Sequence, residues 1–351
     1  MTHLEERMEA DLKQIRDWLW KIGEDVEKAL RNAKKILVLR DEKLAFDTVL
    51  GDNAINRDSR ECDRLCHTFI ARYLPRAGHL REMASTIRAN IALERIGDYS
   101  VTICREALQL EAPLRERFLI RLDAAADESI EILKQARTAF RDGNAELAKS
   151  MIQSANRVQN KMSNIYEELF AEDDRMDGRT MMAVFVVFTL FKRVVDQAKN
   201  ICDQTVFAVS GIAKISRVYR ILFLDQPGSG MGQLAVAIGR SNFPETAEFA
   251  SATPGVADSV SPALREFLLE AGLAEDDLES EQLEAIEHDL EDFTVIVSVN
   301  GSYADYIPKV PFHTSALNWS LPLDADTTDQ YRELRGEITA LITRLAGESA
   351  A

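Results

Sequence analysis

Cysteine is scarce in this 351-residue sequence: Cys62, Cys66, Cys104 and Cys202 are the only four, and none follows position 202. The paired CxxC spacing of a zinc knuckle is missing. Cys62 and Cys66, one helical turn apart with His67 beside them, could hold a metal but read better as small buried hydrophobes. Long apolar runs are also lacking. The longest, Met181 to Phe191, falls short of the about 20 residues that a bilayer span requires. The N-terminus is charged and amphipathic, without an apolar signal core or a small-residue cleavage site, so a cytoplasmic location is expected.

Basic residues are missing from one region in particular. From Arg217 onward there are 8 Lys and Arg against 23 Asp and Glu, so that stretch carries −15 of the total −16. A phosphate backbone needs cationic side chains to displace its counterions, which argues against nucleic acid as this region's partner. The change of charge, with the interruption "SGIAKISR" at 210–217, places a domain boundary there. The expected division is 1–214 and 217–351, and 46% hydrophobic residues can supply a core for each part.

The first part is rich in residues at helical spacing. Leu12, Ile15, Leu19, Ile22, Val26, Leu30, Ala33 and Leu37 mark one long helix over 5–39. Further helices are expected over 45–74, 79–110, 114–142, 145–172 and 177–209, separated by Pro75, Pro113 and the turn-forming "RDGNAE" and "EDDRMDG". The apolar "VFVVFTLF" reads as the buried spine of the sixth helix, or as a contact surface for a partner. Trp18 and Trp20 read as core and rim packing.

These six helices form two sets of three, over 5–112 and 114–210. Leu93–Glu106 aligned with Phe191–Gln204 matches Arg95 with Arg193, Asp98 with Asp196, Ile103 with Ile201 and Cys104 with Cys202. Glu94 and Asp98, four residues apart, project from one helix face, and Asp52 with Asn56 adds oxygen donors from the neighbouring helix. Such a set suits a hard cation; equally, Glu94 and Asp98 could be solvated charges paired with Arg95 or Arg88.

The segments "ERIGD", "KRVVDQAKNICDQTVF" and "VLGDNAIN" resemble the signatures of the PhoU-type phosphate-signalling regulators, over roughly 5–210. The resemblance implies tandem three-helix bundles, a homodimer, and binding to a phosphate ABC transporter and a sensor histidine kinase. The protein would then be peripheral at the inner membrane through those partners. The resemblance also implies a divalent metal, Mg, Mn, Fe or Zn, held by Glu94, Asp98, Asp52 and Asn56 of the first repeat. The second repeat departs from the pattern. Lys192 stands where Glu94 has its counterpart, 147–166 contains no Asp or Glu, and only Asp196, Asn200 and Asp203 remain. A site there is expected to be empty, its metal replaced by an internal salt bridge for which Lys192 could pair with Asp196.

After Arg217 short apolar strands alternate with helices, the pattern of a parallel-sheet α/β domain with helices on both faces. Strands are expected at "YRILFLD", "AEFASAT" and "FTVIVSVN", and helices over 231–240, 261–273, 279–291 and 327–347. The order of landmarks, including "ASATPG" and "NWSLPL", resembles the low-molecular-weight tyrosine phosphatase and arsenate reductase family. The resemblance puts Asp225 at the nucleophilic cysteine, Met231 at the phosphate-gripping arginine and Leu323-Asp324 at the general acid. Without a thiolate no such catalysis is expected, so no catalytic residue is assigned. The backbone of Gly228, Ser229, Gly230 and Gly232 could still hold an anion, and Asp225 could cap the helix that follows.

The sequence thus predicts a multidomain α plus α/β protein, two tandem three-helix bundles followed by a small parallel-sheet domain. The function it predicts is regulation of phosphate uptake by binding. The alternatives are a metal-dependent or Asp225-dependent phosphatase and a metal-free structural adaptor.

Overall fold

A computed structural model describes residues 3–110, 112–170, 177–211, 218–255, 257–273, 278–321 and 326–347; at 160, 161 and 163–170 it describes the backbone alone. The chain divides into two compact units, Met1–Lys214 and Ile215–Ala351.

The first unit consists of α1 (His3–Leu39), α2 (Glu42–Tyr73), α3 (Ala77–Leu108), α4 (Glu116–Asp142), α5 (Ala145–Phe170) and α6 (Gly178–Ser210). Every expected helix is present, with its ends within three residues of the predicted ones. The caps explain where several of them begin and stop. Asp41 Oδ1 accepts from Leu44 N at 3.0 Å, and Asp177 Oδ1 accepts from Thr180 N at 2.9 Å. Gly143 closes α4 at φ 58°, a left-handed conformation that costs glycine little. The apolar stripe of α1 is buried at the positions the periodicity marks, Leu12 to Leu37.

The two helix sets do not keep separate cores. Buried side chains from all six helices, including Ile22, Phe69, Ile96, Leu133, Phe188 and Phe191, form one continuous cluster. The third helix of each set, α3 and α6, packs along the other. All four cysteines are buried free thiols, and burial pushes those of Cys104 and Cys202 up to about 12. Among the described residues no helix is long and apolar enough to cross a membrane.

In the second unit, β1 (Tyr219–Leu224), β2 (Ala247–Thr253), β3 (Glu281–Gln282), β4 (Val295–Ser298) and β5 (Ser315–Asn318) form an all-parallel sheet in the order β3-β2-β1-β4-β5. Strand alternation sends Ile221 and Phe223 to one face and Leu222 and Leu224 to the other. The first face is covered by α7 (Met231–Asn242), α8 (Pro262–Glu270) and α9 (Thr327–Ala346).

The second face differs from expectation. Instead of a helix over 279–291, the chain makes the two-residue β3 and two 3₁₀ segments, Leu283–Ala285 and Glu287–Asp292. Leu283, Ile286 and Leu290 are buried on that face, at a spacing that 3₁₀ turns satisfy as well as a helix does. The segment also carries Glu284, Glu287, Asp289, Glu291 and Asp292, whose repulsion at i, i+3 and i, i+4 opposes a regular helix. β5 was not expected because four residues are too few to show alternation.

α7 approaches the sheet at Gly239, where an added Cβ would stand 2.6 Å from the Phe249 ring. Phe249 is itself stacked on Phe223 at 6.2 Å and has little room to retreat. Gly239→Ala is expected to destabilise this unit by about 1–3 kcal/mol. Thermal unfolding followed by circular dichroism measures it, and an unchanged midpoint would contradict the close packing.

Candidate functional site

Two helices of the first unit collect acidic groups on facing surfaces. Asp52, Asn56 and Asp63 lie along one face of α2, since residues four and seven apart align on a helix. By the same rule α3 presents Asn90, Glu94 and Asp98, and the two helices pack together. Their approach depends on Gly97, where a Cβ would stand 3.0 Å from Asp52 Oδ1.

The hydrogen bonding within this cluster is incomplete. Asn56 Nδ2 donates to Asp52 Oδ2 at 2.8 Å, and Asn90 Nδ2 donates to Asp63 Oδ1 at 2.9 Å. Asp52 Oδ1, Asn56 Oδ1 and Asn90 Oδ1 are buried without a donor. Burial, followed by repulsion from Asp98, pushes the Asp52 carboxyl above its ordinary value. Burial also raises Glu94, together with the charges of Asp98, Asp63 and Asp52. The structure therefore brings all four predicted residues into one neighbourhood and adds Asp63, which sequence reasoning missed. Its signal was its position, seven residues beyond Asn56.

Orphaned oxygens and clustered carboxylates, only partly offset by Arg60 and Arg105, fit the chemistry of a hard divalent cation. Among the described residues, however, no three His, Cys, Asp or Glu side chains already stand in ion-holding geometry, so these carboxylates would have to close on a cation.

The corresponding part of the second repeat is built differently. Asp196 accepts a hydrogen bond from Gln159 Nε2, and Lys199 Nζ donates to Asn156 Oδ1 at 2.6 Å. Asn200 and Asp203 line a groove with Arg88 and Arg95 of α3, so Asp196 faces α5 while the other two face α3. Amides and a lysine supply hydrogen-bond donors where a cation needs acceptors.

In the second unit the glycine turn follows β1, next to the point where the chain's connections diverge to β2 on one side and β4 on the other. Ligands of open α/β sheets bind at such a switch. Here Asp225 occupies it, 2% exposed, with Oδ2 accepting from Gly232 N and Oδ1 from Gln226 N, both at 2.8 Å. Asp225 thus caps the start of α7.

Burial raises the Asp225 carboxyl, and the N–H donors of Gly232 and Gln226 oppose that rise. Gly228 N donates to Asp258 Oδ2 at 2.6 Å, and Ser229 N to Gln226 O at 3.1 Å. Gly228 and Gly230 take φ of 80° and 77°, which suits glycine. An external anion at Gly228, Ser229, Gly230 and Gly232 would have to displace the carboxylates of Asp225 and Asp258. Met231 is buried in the core and offers no grip. The Leu323-Asp324 pair lies outside the described residues.

Comparison with known proteins places the helical unit. The PhoU domain profile matches residues 19–107 and 122–205. A phosphate-specific transport system accessory protein PhoU homolog of Pseudomonas putida is 30% identical over 213 residues, 60% of this chain and 83% of the relative. The chain belongs to the PhoU family. The Escherichia coli (strain K12) accessory protein PhoU is 27% identical over 212 residues, 60% of this chain and 88% of its own. The crystal structure of PhoU from Pseudomonas aeruginosa is 29% identical with a TM-score of 0.55, covering 58% of this chain and 99% of that one. PhoU from Streptococcus pneumoniae, at 23% identity and the same TM-score over 59% and 99%, supports the fold alone. The PhoU matches fall on the helical unit and leave the sheet-containing unit outside them.

Two predictions follow from these geometries. Glu94 and Asp52 titrate above their ordinary values when folded, so the folded chain holds protons that the unfolded chain has already released. Stability contributed by these groups therefore falls as pH rises from the ordinary carboxylate range through the raised values. In chelator, Glu94→Gln is expected to stabilise by about 0.2–0.5 kcal/mol at neutral pH, with the gain vanishing on acidification. Urea unfolding at several pH values reads this, and a gain independent of pH would contradict it. Asp225→Ala leaves the buried Gly232 N–H and the part-buried Gln226 N–H unpartnered and is expected to cost about 1–3 kcal/mol in the second unit, read by the same method.

Proposed function

We propose that this chain is an accessory regulator of phosphate transport that works by binding. It docks on a phosphate ABC transporter, or on the sensor histidine kinase that reports through it, and one divalent cation per chain tunes the docking unit. The observation that carries the cation is the set of buried, unpartnered oxygens at Asp52 and Asn56 beside the mutually repelling Glu94, Asp98 and Asp63. The transport role is supported by family membership and by relatives named as phosphate-specific transport system accessory proteins.

In this reading Asp52, Asn56, Glu94 and Asp98 hold the ion, with Asp63 adjacent. Mg²⁺, Mn²⁺, Fe²⁺ and Zn²⁺ all suit an oxygen-rich set to differing degrees. A bound cation supplies countercharge to the carboxylates and joins α2 to α3. The second repeat, with Gln159, Asn156 and Lys199 against Asp196 and its neighbours, holds none. The protein pairs as a homodimer in the cytoplasm and reaches the membrane surface only through its partners.

The sheet-containing unit is a non-catalytic module. An acyl-phosphate mechanism needs a carboxylate oxygen free to attack, whereas both oxygens of Asp225 accept backbone N–H groups and the side chain is buried. Its resemblance to the low-molecular-weight phosphatases then reflects a retained frame without the thiol.

Elemental analysis of the purified full-length protein should find close to one divalent ion per chain, lost in Asp52→Asn and Glu94→Gln. Two ions per chain would defeat the single-site reading, and none would remove the cation from it. Affinity capture from phosphate-replete cells should recover transporter or kinase components; failure to enrich either would overturn the docking role. Phosphatase turnover that disappears with Asp225→Ala would show an enzyme instead.

A further inference from the structure

The helical unit encloses a second feature, remote in character from the carboxylate cluster. A cavity of 350 Å³ lies among α1, α3, α4 and α6, a volume within the range of small-molecule sites. One part of its wall is apolar, formed by Leu19, Leu93, Phe140 and Ile201. Another part is charged, formed by Arg16, Arg137 and Arg141 with the carboxylates of Glu82 and Asp142.

Arg137 is the telling group. It is 6% exposed, yet its Nε and Nη2 have no hydrogen-bond partner. Native structures rarely leave buried guanidinium donors unmet, because each orphan costs desolvation without return. Its Nη1 pairs with Glu27 Oε2, but Arg31 takes the same carboxylate at 2.5 Å, so one anion serves two cations. Burial lowers the pKa of Arg137, and neighbouring Arg141 lowers it further against the pull of Glu27 and Glu24. The other two cavity arginines have their own counter-ions: Arg16 holds Glu82 at 2.6 Å, and Arg141 holds Asp142 at 2.7 Å.

The surroundings hold Arg137 in place. The Trp20 ring takes both guanidiniums, Arg137 at 4.5 Å and Arg141 at 4.4 Å from its centroid. α1 carries a glycine at position 23, deep inside a 37-residue helix, where glycine costs about 1 kcal/mol relative to alanine. An added Cβ there would stand 2.3 Å from Arg137 Nε. A helix-weakening residue thus sits where the guanidinium passes.

We propose that this cavity binds a small organic anion, its phosphate or carboxylate head against Arg137 and its apolar body against Leu19, Leu93, Phe140 and Ile201. An oxyanion accepts the donors that the protein leaves open, and the apolar wall gives the rest of the molecule a place that water fills poorly. This site is independent of the cation reading, since none of its residues belongs to the carboxylate cluster.

Titration of the full-length chain with phenyl phosphate and with benzoate, by calorimetry and by Trp20 fluorescence, tests the proposal. Both probes are expected to bind once per chain, at least about tenfold more tightly than inorganic phosphate or phenol. Arg137→Gln should weaken them by about tenfold or more. Ala208→Phe, which fills the cavity while keeping every charge, should abolish binding and supplies the reading if the arginine variant fails to fold. Trp20→Phe should remove the fluorescence change, and a change that persists would place the bound probe elsewhere. Absence of saturable binding by either probe, binding untouched by both cavity variants, or phosphate binding as tightly as phenyl phosphate would overturn the proposal.

Discussion

The packing of α3 along α6 is the constraint on which the helical unit depends. These are the matching third helices of the two repeats, and their contact merges two three-helix sets into one core. Once that seam is fixed, the outer neighbours of each helix are fixed too. α2 is placed against α3 with its carboxylates facing those of Glu94 and Asp98. α1 and α4 are placed so that Trp20 and Arg137 close over the space beside the seam. The matching third helices of the two repeats therefore lie in two unlike surroundings. On α3 the neighbouring helix contributes acids; on α6 it contributes amides.

Much of this was legible in the chain because helical periodicity is a local signal. The stripes on α1 to α6 and the i, i+4 pairing of Glu94 with Asp98 each depend on residues close in sequence. Asp63 was within reach of the same rule and was missed only because the motif read on α2 stopped at Asn56. The Arg137 cavity was not legible, since four helices from both repeats have to meet before it exists. Gly23 was its only local trace, an isolated glycine in an otherwise unbroken helix.

In the sheet-containing unit the strong elements could be read and the weak ones could not. β1, β2 and β4 are apolar enough to announce themselves. β3 and β5 are too short to alternate, and the leucine–isoleucine spacing over 283–290 fits a helix and a pair of 3₁₀ turns alike. The role of Asp225 as a cap for α7 was readable from its place before the glycines. Its partner in that loop, Asp258, was not, because it arrives from the chain beyond β2.

The seating of Asp225 changes the unit's electrical character at a distance. A bare helix N-terminus would give an otherwise acidic body one positive pole. With a carboxylate in place, that pole is cancelled, and the region from Arg217 onward, at −15, repels anions from this side too. Beside an anionic bilayer such repulsion acts over roughly 8 Å at physiological salt. The stretch preceding it, at −1, experiences almost none of that force. Any anionic surface would accordingly repel the sheet-containing unit and leave the helical unit almost indifferent.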